Sequence, residues 1–193
     1  MICMELNEIK KKLSGNLKEG RYTHTLGVAY TASAMAMAMG ADIQKAFRAG
    51  LLHDCAKGYS IEQQMKFCGQ YGIILTREMK KSPQLLHSAL APYIARDCYG
   101  NEDAEIASAV ECHTTGKPGM SLLDKIIFIA DYIEPGRKDI QGLSEIRRLA
   151  FSDIDRCLLK IIENTMQYLK SRDQAIDPRT TETYEYYKEG DHT

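Results

Sequence analysis

The chain has 193 residues, of which 44% are hydrophobic and 26% are charged, so it can bury the core of one globular domain. Its formal net charge of −1 provides no overall attraction to nucleic acid or to an anionic membrane surface. The apolar stretch 28–39 is shorter than the roughly 20 residues that a membrane-spanning helix needs. We therefore expect a protein that binds neither nucleic acid nor a membrane.

Helical periodicity and cap residues predict a succession of helices. An amphipathic surface helix occupies the N-terminal stretch up to Gly20. The next helix, 22–39, has small or apolar side chains almost all round, which is typical of a central, buried helix. Asp42 is a candidate N-cap for a third helix, which we expect to run to Lys57 and to end at Gly58.

The second half of the chain is also predicted to be helical. The apolar run 126–130 could by composition be a buried strand, but the cap at Ser121 before it and Pro135 after it favour a helix. We find no repeat and no hairpin signal, and we predict an all-α fold in one domain. The remaining predicted segments are a short helix from Ser60, a helix from Ser82 to Gly100, a helix over 102–112, a loop over 114–120, a helix over 153–171 and a last segment from Asp177.

The cysteines do not form a recognisable metal or redox motif. None of the six belongs to a C-x-x-C pair, which excludes a zinc knuckle and a thioredoxin-like motif. Because no signal peptide is recognised, we expect reduced thiols and a cytoplasmic location. The cysteines are Cys3, Cys55, Cys68, Cys98, Cys112 and Cys157.

The histidines carry the clearest chemical signal. Of the five, four lie in or at the ends of predicted buried helices, and only His192 falls in the tail, where we assign it no role. A single histidine on an apolar face is more often a satisfied core residue than a metal ligand, but four together each need a polar partner or an ion. Two aspartates in apolar surroundings have the same need. The candidate metal ligands are therefore His24, His53, Asp54, His87, His113 and Asp131.

The number of candidate ligands indicates how many metal ions they could hold. Four imidazoles and two carboxylates are too many for a closed tetrahedral zinc site, and they suit two metal ions that share a ligand and keep positions open for water and substrate. Mixed nitrogen and oxygen ligation fits iron, manganese or zinc, and the ligand types alone do not choose among them.

The motifs around these residues resemble a known family. The order His24, His53-Asp54, Asp131 resembles the H…HD…D signature of the HD-domain metal-dependent phosphohydrolases, an all-helical superfamily. The C-terminal segment 177–184 also resembles the family's ending, although Glu185 stands where an asparagine is common. The segments that resemble the bacterial symmetrical bis(5'-nucleosyl)-tetraphosphatases in particular are 21–24 (RYTH), 53–57 (HDCAK), 87–89 (HSA), 113–116 (HTTG), 120–121 (MS) and 130–137 (ADYIEPGR).

The resemblance implies an architecture and a metal site. The expected fold is a single HD-domain helical bundle, 1–193, with a metal-binding core over 19–135 and a C-terminal helical extension over 144–193 packed on it. One metal ion would be held by His24, His53, Asp54 and Asp131, and a second by His87 and His113, with Asp54 as the bridge. Iron is the metal that the resemblance favours, with manganese or zinc as alternatives.

The resemblance also implies a reaction. Diadenosine tetraphosphate would be hydrolysed symmetrically to two ADP by a water that the two metal ions activate, and Asp54, Lys57 and Asp131 are the expected catalytic residues. The expected partners are this nucleotide substrate, its ADP product and a second copy of the chain in a homodimer. The expected substrate contacts are Arg21, Lys57, Gly58, Tyr59, Ser60, His113, Thr114, Arg137, Thr180 and Tyr184.

Three other interpretations stay open. The same site could serve a general phosphohydrolase of nucleotides or of a guanosine alarmone. The chain could be a non-catalytic HD module that senses nucleotide or metal, but such a module is expected to lack a ligand and none of the six is missing here. The chain could also be a helical interaction protein whose histidines are satisfied in its core, which predicts no bound metal.

Overall fold

The computed structural model describes residues 4–138 and 140–190, and Cys3 and His192 lie outside these ranges. Within them the fold is all-α, which confirms the predicted class, and two short 3₁₀ turns, Cys55–Gly58 and Pro83–Leu85, join some of the helices. No helix in these ranges combines the length and apolar character needed to cross a membrane. The helices are α1 (Leu6–Asn16), α2 (Glu19–Met39), α3 (Ile43–Leu52), α4 (Ile61–Gln70), α5 (Arg77–Lys81), α6 (Leu86–Tyr99), α7 (Ala104–Cys112), α8 (Leu122–Ile133), α9 (Leu143–Leu149), α10 (Ile154–Ser171) and α11 (Pro178–Lys188).

The core is a bundle in which α2 and α3 pack closely and α6, α7 and α8 complete the packing around them. Several buried side chains of α2 are small, among them Ala29 and Ala32, so neighbouring helices can approach its backbone there. Gly50 of α3 packs directly against this backbone, because a Cβ atom there would lie only 2.6 Å from the Cα atom of Ala29. The close crossing brings the N-terminal half of α2 to the C-terminal end of α3.

Two predicted helix boundaries are wrong. The third helix ends at Leu52 and not at Lys57, because Asp54 leaves helical geometry (φ −106°, ψ 17°) and the chain continues as a 3₁₀ turn. Lys57 therefore does not lie one helical turn after His53, as it would in an uninterrupted helix. The first helix ends at Asn16, and Gly20 lies inside α2 instead of ending α1.

Two short helices, α5 and α9, are absent from the sequence prediction. Each spans fewer than two complete hydrophobic repeats, so periodicity does not reveal it, and short helices draw their stability from tertiary packing. The helix α9 also begins directly after Gly142, which adopts the left-handed conformation (φ 73°). A glycine in the sequence indicates a turn more readily than the start of a helix.

The C-terminal helices pack against the core at the loop that follows α7. The Tyr187 hydroxyl accepts a hydrogen bond from the backbone N–H of Met120 at 2.8 Å. Thr183 lies against Gly116, which has φ 70° and leaves no room for a Cβ atom, since that atom would meet the Thr183 methyl at 2.7 Å. The loop 114–120 is thus held between α7 and α11.

The close crossing of α2 and α3 predicts an unusual response to alanine. Replacing Gly50 by Ala adds a methyl group against backbone, so we expect a loss of about 1–3 kcal/mol in the free energy of unfolding despite the better helix propensity of alanine. Gly69→Ala in α4 is the matched control, because no atom lies within 4 Å of the added methyl, and it should be neutral or stabilising. Urea unfolding followed by circular dichroism measures both, and equal stabilities would contradict the close packing.

Candidate metal centre

The six predicted ligands converge in the middle of the bundle although they come from five places in the chain. The ligand atoms of His24, His53 and Asp131 all lie within 4.8 Å of one another, and so do those of His53, Asp54 and His113. His24 is on α2 and Asp131 on α8. The other four are at helix ends: His53 and Asp54 directly after α3, His87 at the start of α6 and His113 directly after α7.

Three of the histidines are oriented by backbone carbonyls. The Nδ1 atom of His53 donates to Gly50 O at 2.7 Å, and that of His113 donates to Val110 O at 2.7 Å. His87 Nδ1 makes the corresponding bond to a carbonyl three residues earlier, that of Gln84. Because a carbonyl oxygen can only accept, the proton of each neutral ring is on Nδ1 and the Nε2 atom carries a lone pair. The carbonyl groups at these helix ends therefore leave three Nε2 atoms free to bind a metal ion.

The lone pairs on these Nε2 atoms lie close together, an arrangement that favours a bound cation. The Nε2 atoms of His87 and His113 are only 3.1 Å apart. Burial lowers the pKa of His87 to about 3, so that this ring is neutral in ordinary buffers. The buried Nε2 atom of His53 has no hydrogen-bond partner. Such atoms are costly to bury unless a cation binds them, and a divalent metal ion fits this requirement.

His24 meets Asp131 in the same manner. Its Nδ1 atom donates to the Glu134 carboxylate at 3.1 Å, which leaves a lone pair on Nε2 of the neutral ring. That Nε2 atom lies 2.9 Å from Asp131 Oδ1, yet the two atoms form no hydrogen bond. An imidazole nitrogen and a carboxylate oxygen in such close contact without a hydrogen bond are the arrangement expected of two ligands of one metal ion. We call His24, His53 and Asp131 the first subsite.

Asp54 connects this subsite to a second one. Its Oδ2 atom lies 3.5 Å from His53 Nε2, whereas its Oδ1 atom lies 3.3 Å from His87 Nε2 and 3.7 Å from His113 Nε2. Each carboxylate oxygen thus faces a different group of imidazoles. We call Asp54, His87 and His113 the second subsite, and Asp54 contacts imidazoles of both.

Both aspartates are held in the ionised form. Burial by itself would raise the pKa of Asp54, but the neighbouring imidazoles of His53, His113 and His87 outweigh it and hold that pKa well below the usual range. For Asp131, burial is likewise opposed by the contact with His24, by the neighbouring His53 and by the charge of Arg137, and the pKa is again lowered. Ionised carboxylates are the form that binds metal ions.

Three cations surround the cluster. Arg21 Nη1 lies 2.9 Å from Asp54 Oδ2, and Arg137 Nη2 lies 2.7 Å from Asp131 Oδ1. Lys57 is half-buried, and burial lowers its pKa although the charges of Asp54 and Asp131 oppose this shift. The side chains of Arg21 and Arg137 remain 40% and 35% exposed, so an anionic ligand can reach them from solvent.

The other predicted substrate contacts divide into two groups. Thr114 lies within the cluster, with its hydroxyl oxygen 3.1 Å from His113 Nε2 and 3.4 Å from His87 Nε2. Tyr184 on α11 instead donates to Glu163 Oε1 at 3.4 Å. Thr180 is buried in the first turn of α11, and in the part of the chain that the structure describes we find no polar contact from it to the metal ligands. A substrate role for Thr180 and Tyr184 stays a prediction.

The segment after the cluster is occupied by local contacts. Ser60 caps α4 through the backbone N–H of Gln63 at 3.2 Å, and the Tyr59 hydroxyl lies 3.9 Å from Cys98 Sγ. A Cβ atom on Gly58 would meet the backbone oxygen of Asn16 at 2.6 Å. These residues therefore shape the turn that carries Lys57, and their predicted contact with nucleotide stays a prediction.

Glu134 is a component of the centre that the sequence analysis missed. Its buried carboxylate accepts from His24 Nδ1 and, at 2.5 Å, from the backbone N–H of Gly136. The space for it exists because Gly27, one turn after His24 on α2, has no side chain: a Cβ atom there would lie 2.5 Å from Glu134 Oε2. Among the four histidines of the cluster, His24 alone is oriented by a carboxylate, which strengthens a histidine as a ligand.

The Glu134 contact makes a prediction about metal affinity. Glu134→Gln should weaken metal binding about 10- to 100-fold, because the amide cannot supply the same negative charge to His24. Gly27→Ala should act in the same direction by displacing the carboxylate without changing its charge. Metal content after dialysis against graded concentrations of chelator measures the effect.

Gly20→Ala on the same helix is the control for this experiment, since no atom lies within 4 Å of the added methyl group. It should retain metal as the unmodified protein does. Wild-type metal retention in both Glu134→Gln and Gly27→Ala would show that Glu134 does not support the centre.

Comparison with known proteins agrees with this geometry. The HD domain family model matches residues 21–136, a range that contains all six candidate ligands. A protein of Bacillus subtilis named symmetrical bis(5'-nucleosyl)-tetraphosphatase is 38% identical over 180 residues, covering 90% of this chain and 92% of the relative. A protein of Staphylococcus aureus with the same name is 33% identical over 190 residues, covering 97% of each chain.

A solved structure is similar over nearly the whole chain. It is a crystal structure of a protein from Clostridium acetobutylicum, described as a predicted HD superfamily hydrolase involved in NAD metabolism. The identity is 38%, the TM-score is 0.94, and the match covers 97% of this chain and 99% of the other. The C-terminal helices are therefore part of the shared architecture, and not only the HD core.

Proposed function

This chain belongs to the HD domain family, and from that premise we propose that it is a metal-dependent hydrolase that cleaves dinucleoside tetraphosphates symmetrically, releasing two ADP from diadenosine tetraphosphate. The observation that carries the proposal is the convergence of four imidazole lone pairs and two ionised carboxylates beneath three cations. The relatives that are similar over most of the chain bear the name of this activity.

We propose that the centre is dinuclear and that its metal is iron, with manganese or zinc as alternatives. The split contacts of Asp54 support two ions with a shared ligand. The donors are imidazole and carboxylate, a set that suits these metals. Cys55, although adjacent to Asp54, donates its S–H to Ala91 O at 3.6 Å, and burial raises the pKa of its thiol, which argues against thiolate ligation.

The metal centre and the neighbouring side chains would have different roles in the reaction. Bound metal ions would supply hydroxide from water at neutral pH and neutralise phosphate charge. Arg21 and Arg137 can each offer N–H donors to phosphate oxygens, and Lys57 offers a mobile ammonium group. Thr114 can donate its hydroxyl to a phosphate oxygen that lies over the second subsite. A homodimer and a cytoplasmic location stay predictions from the sequence.

A substrate panel tests the reaction itself. The proposal predicts that the metal-loaded protein releases ADP, and neither AMP nor ATP, from diadenosine tetraphosphate, with a kcat/KM far above that for nucleoside mono- or triphosphates or for a guanosine tetraphosphate. Chromatography of the products gives the answer. Release of AMP with ATP, or a preference for the mononucleotides, would favour the general phosphohydrolase, and no turnover with full metal would favour a sensor.

Arg137 tests the role of the rim cations. Arg137→Ala should lower kcat/KM for diadenosine tetraphosphate about a hundredfold, because one charged donor to the phosphates is lost, while the metal content stays unchanged. Arg148→Ala, an exposed arginine on α9, is the control and should leave both unchanged. If Arg137→Ala loses its metal, the residue supports Asp131 structurally instead of binding substrate.

A further inference from the structure

A large cleft lies beside the metal centre, between the C-terminal end of α8, the segment that follows it and α10. Its volume is about 790 Å³, which falls in the range of about 300–1,000 Å³ that is typical of small-molecule sites. The residues that matter to its chemistry are Tyr132, Arg137, Asn164 and Tyr168. None of them is a ligand of either subsite.

Arg137 joins the cleft to the centre. It lines the cleft, and its guanidinium also contacts Asp131 twice: Nη2 lies 2.7 Å from Asp131 Oδ1, and Nε donates to the Asp131 carbonyl at 2.8 Å. A guanidinium has five N–H donors, so these contacts leave others for phosphate. Tyr132 directly follows Asp131 on α8. A polyphosphate that runs from the first subsite past Arg137 therefore enters this cleft.

The walls of the cleft suit a nucleoside. Tyr168 is 57% exposed, and Arg172 lies over one of its faces with a guanidinium 5.6 Å from the ring centre. An aromatic ring exposed to this extent can stack on a base. Asn164 on the same helix donates to Gln141 O at 3.0 Å, which fixes its amide and leaves the Oδ1 atom as an acceptor for an exocyclic amino group.

We propose that this cleft binds the nucleoside of one half of the substrate, with Arg137 holding the adjoining phosphate. The inference rests on the proposed function, because a symmetrical cut leaves one nucleoside diphosphate on each side of the broken bond. The chain therefore needs two nucleoside sites that flank the metal centre. The cleft provides the site on the Asp131 side, and the other half extends past Arg21 on the Asp54 side.

The experiment uses the metal-loaded protein with ADP and with diadenosine tetraphosphate as probes. The unmodified protein should bind two ADP per chain in a calorimetric titration, and Tyr168→Ala should bind one. The KM for diadenosine tetraphosphate should rise at least tenfold in Tyr168→Ala, with unchanged metal content. Asn164→Ala gives a second variant on the same wall, with the same expected direction for KM.

Tyr30→Ala is the matched control, because Tyr30 is 59% exposed on α2 and does not line the cleft. It should keep both ADP sites and the original KM. If Tyr168→Ala and Asn164→Ala also keep both, the cleft is not the nucleoside site although the proposed function stands. If the unmodified protein releases no ADP from diadenosine tetraphosphate, the proposed function fails and this inference fails with it.

Discussion

The structure depends on a buried cluster in which the lone pairs of imidazole nitrogens and a carboxylate oxygen lie against one another. The Nε2 atoms of His87 and His113 face each other at 3.1 Å, and His24 Nε2 faces Asp131 Oδ1 at 2.9 Å without a hydrogen bond. In a protein interior such an arrangement is costly unless positive charge lies between the donors. The bundle is stable around this cluster if metal ions supply that charge, so metal binding and folding are linked in this protein.

The surrounding architecture serves to aim these donors. Helix ends at α3, α6 and α7 provide free carbonyls that hold the Nδ1 protons of His53, His87 and His113. The glycines act at shorter range: Gly50 lets α3 approach α2, and the missing side chain of Gly27 admits the carboxylate of Glu134 to His24. The carboxylates then hold Arg21 and Arg137 at the rim, so the cations already lie beside the place proposed for phosphate.

The helical class could be predicted from the sequence, and so could the set of side chains that converge in the bundle, because His and Asp side chains in apolar helices need a metal ion or a polar partner. The break after Leu52 could not be predicted, since no glycine or proline stands between Leu52 and Gly58 to signal it. Glu134 was also hidden, because a glutamate before Pro135 is typical of a helix end. Only the fold shows that its carboxylate contacts a histidine 110 positions earlier.

The measurement that tests the dinuclear centre most directly is a crystal structure of the metal-loaded protein with anomalous diffraction collected at the iron, manganese and zinc absorption edges. The geometry predicts two anomalous peaks on either side of the Asp54 carboxylate, one near His24, His53 and Asp131 and the other near His87 and His113. An iron-edge signal at both would also support the proposed metal. A single peak, or none in protein that hydrolyses diadenosine tetraphosphate, would contradict the two-metal site.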